Sequence, residues 1–247
     1  MNGIRIVLRT VVLLLLLAAS GAAFAQDVLP FETTAPNAIL IDAESGTVFF
    51  EKNADELVQP ASMSKLMTMV MVFEALKAGT VTLDTEFPIS VNAWKRGGTA
   101  SGGSTMFANV NTKVKLIDLM HGAMIQSAND ACIAIAEGMA GSEEEFAARM
   151  TLRAKELGLQ DAVFRNVTGL PRPENRASVR DLTILARYVV SEFPEYYKIY
   201  GKPEFTWNKI TQKNRNPLLL DYPGADGMKT GYIREAGYGL VGSAMRD

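Results

Sequence analysis

The chain has one cysteine, one histidine and no run of basic residues. The single cysteine, Cys132, excludes an intrachain disulfide. It sits in "ACIAIAEGMAG", a small-residue helical pattern in which a thiol serves as a small hydrophobe. The single histidine, His121, excludes a Ser-His-Asp triad unless that imidazole is the base. One histidine and one cysteine are too few for a structural zinc site, so no metal and no cofactor is expected. The 25 Lys and Arg are scattered among 27 Asp and Glu, for a net charge of −2. No basic patch points to nucleic acid.

One apolar run stands at the N-terminus. Arg5 and Arg9 precede "VVLLLLLAASGAAFA", which ends in the small-x-small site Ala23-Phe24-Ala25. That order predicts a secretory signal peptide over 1–25, rather than a retained anchor. Cleavage leaves roughly 220 residues, 26–247, enough for a buried core in one domain.

Patterning predicts an α+β chain. The apolar triplets Ile39-Leu40-Ile41 and Val48-Phe49-Phe50 predict two strands about a turn at Gly46, and because they are continuous they predict a sheet covered on both faces. A helix is expected from about Ser62 to Ala78, closed by Gly79. Residues 80–114 read as irregular. They contain "RGGTASGGSTMF", which lacks the lysine and context of a phosphate loop and reads as a flap over a cleft or a plain surface loop. From Leu116 helices dominate, one of them capped by Ser142 and ended by Gly158. "EFTWNKI" is strand-like. Met228–Thr230 and Tyr238–Val241 predict two closing strands. Strands at both ends, with helices between, suggest that the terminal strands meet in one antiparallel sheet and that the helical middle forms a second lobe.

Three short motifs can carry chemistry. Ser62 and Lys65 lie three apart, hence on one helix face. A serine hydroxyl needs a base, and a lysine serves only if burial or a second cation lowers its pKa. The apolar run Leu66–Phe73 supplies the wall. The plainer alternative is that Ser62 or Ser64 caps the helix and Lys65 is solvated. Ser127 and Asn129 offer a proton relay and an amide clamp, or simply an N-cap. Lys229-Thr230-Gly231 offers a charge and a hydroxyl to a carboxylate, with Gly231 admitting a neighbouring backbone.

S-x-x-K, S-x-N and K-T-G in this order resemble the signature of penicillin-binding proteins and class A β-lactamases. "QPASMSKLMT", "SGGSTMF", "IQSANDACIAIAE", "FPEYYK", "NRN" and "DGMKTGY" resemble more narrowly the low-molecular-mass penicillin-binding proteins. These are the serine-type D-alanyl-D-alanine carboxypeptidases of peptidase family S11. The resemblance implies a β-lactamase/transpeptidase-like fold, an antiparallel sheet flanked by helices. It makes Ser62 the acylated nucleophile, Lys65 its base and Ser127 the donor of a proton to the leaving D-alanine. Asn129 holds a substrate amide, and Lys229 and Thr230 receive the terminal carboxylate with help from Arg215. Lys229 is the second cation beside Lys65. Gly231 lets the strand approach, and the N–H groups of Ser62 and Tyr232 form the oxyanion hole. The implied partners are the D-Ala-D-Ala end of a peptidoglycan stem peptide and β-lactam antibiotics, in the periplasm or on the outer face of the membrane.

The family pattern also continues past Asp247 with a strand, a helix and often a membrane anchor, so a C-terminally truncated catalytic domain is expected here. Its usual histidine-containing segment is replaced around Asn175-Arg176. The rival functions are a β-lactamase, which needs a glutamate for deacylation where only Glu174 stands, a DD-endopeptidase, and a non-catalytic peptidoglycan-binding relative.

Overall fold

The structure is a computed structural model that describes residues 31–246. The expected leader and its cleavage site lie outside the described residues. The chain divides into units Met1–Thr34 and Ala35–Asp247, and every element below belongs to the second.

Strands β1 (Ala38–Ile41) and β2 (Val48–Lys52) form an antiparallel hairpin whose turn uses Gly46 at φ 78°. A 3-10 turn, Ala61–Ser64, runs into helix α1 (Lys65–Lys77). The apolar character of α1 all round has a plain cause. Leu66, Met67, Met69, Val70, Val72 and Phe73 are all buried, each contributing about 1.5–3 kcal/mol if removed fully from water. Gly79 (φ 70°) ends the helix by donating to the Leu76 carbonyl, while Thr80 donates to that of Ala75. This is the reciprocal closure that a left-handed glycine permits.

Next come β3 (Glu86–Pro88), α2 (Val91–Gly97) and β4 (Lys113–Lys115), with β3 and β4 paired. Helices α3 (Leu116–Ile125), α4 (Asn129–Ala140) and α5 (Glu143–Glu156) pack in succession, and α1 rests on α3 and α5. Ser142 accepts from the Glu145 N–H, and three glutamates fill the first turn of α5, as its positive end favours. Helix α6 (Val179–Glu192) opens on a capping box between Ser178 and Asp181, and α7 (Pro194–Tyr197) follows with the proline at its start.

Hairpin β5 (Glu204–Trp207) and β6 (Ile210–Lys213) precedes α8 (Leu218–Asp221) and the closing hairpin of β7 (Ala225–Ile233) with β8 (Gly237–Ala244).

The helical middle and the α+β class stand as read from the sequence. Two expectations need correction. The terminal strands do not share a ladder among the described residues: β1–β2 and β7–β8 are separate two-stranded ribbons. What joins them is α6, which packs against both β1 and β8. The first ribbon is also not covered on both faces, since Leu40 and Phe49 are 50% and 66% exposed. Its apolar triplets reflect β-propensity as much as burial. No helix among the described residues is long and apolar enough to cross a membrane.

Candidate active site

The turn that carries Ser62 is held by backbone geometry. Ala61 takes φ 48°, the left-handed region that costs a non-glycine residue about 1 kcal/mol or more. Met63 N–H donates to the Pro60 carbonyl. Ser62 is the one half-buried residue in a turn whose other members are buried. The capping alternative fails, because no side chain caps α1 at Ser64.

Lys65 begins α1 and is 1% exposed. Its Nζ lies 2.9 Å from Ser62 Oγ, 2.8 Å from Asn129 Oδ1 and 2.6 Å from the Thr168 carbonyl oxygen. Burial pulls its pKa down to about 8, against smaller upward pulls from Cys132 and Asp130. The charge state decides how these contacts run. An ammonium donates to all three oxygens. A neutral amine has two N–H groups, which the two carbonyl oxygens absorb, and its lone pair is left facing the Ser62 hydroxyl. That is the arrangement a general base requires.

Asn129 reaches Lys65 from the first turn of α4. Its backbone N–H donates to the Ser104 carbonyl, and its Nδ2 has no protein acceptor among the described residues. Two residues earlier Ser127 takes φ 62°, and its Oγ is buried without a hydrogen-bond partner. Neither residue caps α4, whose N-cap is Ala128. The unsatisfied hydroxyl is a poised donor or acceptor that the rest of the chain leaves unused.

Lys229, on β7, is 2% exposed and, among the described residues, donates only to its neighbour, the Thr230 carbonyl. Burial drives its pKa well below the usual lysine value, and Lys65 and Arg215 push in the same direction. Both amines are thus lowered chiefly by desolvation, and their mutual repulsion disfavours two ammonium groups in one pocket. Arg215 is exposed and acts on Lys229 through space. β7 passes against the nucleophile turn at Gly231. A Cβ there would meet the Pro60 carbonyl oxygen at 3.0 Å and Ser62 N at 3.2 Å. Thr230 is half-buried beside it, and Tyr232 is exposed with its ring tilted against that of Tyr238 at 4.4 Å between centroids.

Sequence reasoning missed three supports. The Thr168 carbonyl was invisible because any residue carries one. Asp130, next to Asn129, is a buried carboxylate that accepts from Thr105 Oγ1 at 2.7 Å, Met106 N–H at 3.0 Å and Ala108 N–H at 3.2 Å. It fastens the glycine-rich 96–107 segment beside Asn129, so that segment is a pinned wall of the site and not a plain surface loop. Glu143 is buried at the start of α5 and pairs with Arg96 at 2.5 Å. His121 is committed elsewhere, donating from Nδ1 to the Ile117 carbonyl while Nε2 accepts from Lys202. Cys132 is buried with its pKa pushed up to about 11, consistent with an inert thiol.

A serine hydroxyl 2.9 Å from a buried, desolvated lysine amine is a geometry that can support serine acyl transfer. The chain belongs to the D-alanyl-D-alanine carboxypeptidase family, peptidase S11, whose model matches residues 23–247. It is 45% identical over 208 residues to the D-alanyl-D-alanine carboxypeptidase DacC of Escherichia coli K12, covering 83% of this chain and 52% of that protein. Among solved structures it resembles penicillin binding protein 5 from Haemophilus influenzae (TM-score 0.85, 39% identity, 89% of this chain and 63% of that one). It also resembles the ampicillin-bound penicillin-binding protein D2 from Listeria monocytogenes (TM-score 0.73, 28% identity, 87% and 86%). The chain spans about half the length of the curated relatives it matches.

Proposed function

We propose that this chain carries the catalytic centre of an exported serine D-alanyl-D-alanine carboxypeptidase that trims the terminal D-alanine from peptidoglycan stem peptides. The observation that carries this reading is the Lys65 amine, 2.9 Å from Ser62 Oγ with carbonyl oxygens at its other two contacts.

The substrate carboxylate is received by Lys229 and Thr230, with Arg215 at the rim. An arriving carboxylate favours the ammonium form of Lys229, opposing the effect of burial. Asn129 Nδ2 donates to a carbonyl of the acyl portion. Neutral Lys65 takes the Ser62 proton as Oγ attacks the scissile carbonyl. The oxyanion is met by the N–H groups of Ser62 and Tyr232, and the close approach at Gly231 supports that pairing. Collapse breaks the peptide bond, Ser127 relays the proton held by Lys65 to the departing amine, D-alanine leaves and Lys65 is neutral again. Water then attacks the acyl-enzyme, gives up a proton to the base and frees Ser62. A β-lactam enters by the same route and stays as an ester.

The deciding experiment is mass spectrometry of the protein with penicillin, together with D-alanine release from a D-Ala-D-Ala peptide. An adduct mapped to Ser62, and release abolished in Ser62→Ala, are expected. Rapid turnover of penicillin would instead indicate a β-lactamase. Glu174, the only carboxylate in the matching loop, is exposed, which argues against that outcome. An adduct with no D-alanine release would indicate endopeptidase preference, and neither adduct nor release a binding relative.

A further inference from the structure

One segment outside the motifs touches the base directly. The turn 166–170 presents the Thr168 carbonyl to Lys65 Nζ at 2.6 Å, and other residues hold that turn. Asn166, 2% exposed, accepts through Oδ1 from Gly169 N–H at 2.7 Å and from Thr168 N–H and Oγ1, each at 3.3 Å. Its Nδ2 donates to the Leu170 carbonyl at 2.9 Å. Thr68, one turn beyond Lys65 on α1 and fully buried, donates to the Val167 carbonyl at 2.8 Å. Glu143 accepts from Val167 N–H at 3.3 Å. Gly169 (φ 76°) seats the turn against the nucleophile, since a Cβ there would lie 1.7 Å from the Ala61 carbonyl oxygen.

Resting on the function proposed above, we infer that Asn166 and Thr68 are positioning residues for the lysine base. They fix the Thr168 carbonyl so that it consumes one N–H of Lys65 and turns the lone pair toward Ser62. Neither residue touches a reacting atom; both act through the carbonyl. A peptide carbonyl cannot drift by rotamer change as a side-chain acceptor can. A buried polar set with every member partnered is rigid, and a base misaimed by about 1 Å loses up to about 100-fold in rate.

A test must separate aim from bulk stability. Lys65 is faced by Asp130 and Cys132 from α4 and by Lys229 from β7, with Arg215 acting on Lys229; Glu143 reaches the same turn from α5. None of these is altered in Thr68→Val or Asn166→Ala. In those variants the carbonyl no longer meets the ammonium squarely. The charged form loses a hydrogen bond in a dry site, and the lysine gives up its proton more readily.

The measurement is the rate of Ser62 acylation by penicillin against pH. The expected result is a plateau lowered about 10- to 100-fold together with an acidic limb moved to lower pH. Thr68→Ser, which keeps the hydroxyl, should restore both. Partial unfolding or water entry moves the limb upward or leaves it in place, and either result overturns the inference, as does a Ser variant no better than Val. If the wild-type protein forms no adduct at all, the proposed function falls as well. An adduct that forms equally in every variant sinks this inference alone.

Discussion

Asn129 Oδ1 accepts from Lys65 Nζ at 2.8 Å across 64 residues of sequence, so one amide spends its oxygen on the base and keeps its NH2 free. Asn129→Asp would place a carboxylate at that oxygen. An anion in contact with Lys65 favours the ammonium and raises its pKa above the value of about 8 set by burial. The acidic limb of the acylation profile should move to higher pH, and the rate at pH 7 should fall by about tenfold per unit moved. A limb that stays where it was would show that Asn129 does not share the base.

Lys229 is a buried amine with one protein acceptor and two cationic neighbours. Such a group destabilises the fold, and an apolar replacement of similar volume commonly gains about 1–4 kcal/mol. Lys229→Met should therefore raise the thermal midpoint by about 2–4 °C for each kcal/mol gained. It should also raise the KM for D-Ala-D-Ala peptides, because the carboxylate loses its receptor. A lower midpoint in scanning calorimetry would contradict the first half.

Ser127 occupies left-handed backbone with an unpartnered hydroxyl. Ser127→Gly relieves about 1 kcal/mol of backbone strain and offsets the extra freedom glycine has when unfolded. The glycine variant should melt no lower than the parent, while D-alanine release falls by about 10²- to 10⁴-fold. Ser127→Ala should lose the same activity while keeping the strain. Retained activity in both would remove Ser127 from the proton path.

Stability should rise with pH between 7 and 9. Both lysines have folded pKa values below their unfolded ones, Lys65 at about 8 and Lys229 well down, so the unfolded chain binds more protons. Stability then increases as pH climbs from the folded pKa toward the unfolded value. Above pH 9 the trend reverses sign for one group. Cys132, raised to about 11 by burial, stays protonated in the fold while the unfolded thiol ionises. Melting curves at unit intervals of pH test this directly.

The legible part of the site was the part written in side chains. Ser62 and Lys65, and the triplet at 229–231, announced themselves by residue type and spacing, and helix α1 by its apolar run and glycine stop. The Thr168 carbonyl carried no such mark, since a backbone acceptor is the same in every residue. Asp130 was ambiguous because a carboxylate before a helix caps more often than it anchors a neighbouring loop. In the fold, the β1–β2 triplets suggested two covered faces because β-branched and aromatic residues mark strands whether or not a layer lies above them. Pairing between distant strands was equally unreadable, because periodicity reports which face a residue takes and not which strand lies alongside.

The contact from Lys65 to Thr168 spans 103 residues, and this bears on how the molecule comes to life. During synthesis the serine and its lysine emerge together, on a segment able to form its helix at once, yet the partner that aims the amine arrives only 103 residues later. Closing so long a loop is an entropic cost that local structure cannot offset, and such distant contacts form late. A nascent chain with α1 already formed would therefore be blind to penicillin, and antibiotic reactivity during refolding would report completion of the last long-range step.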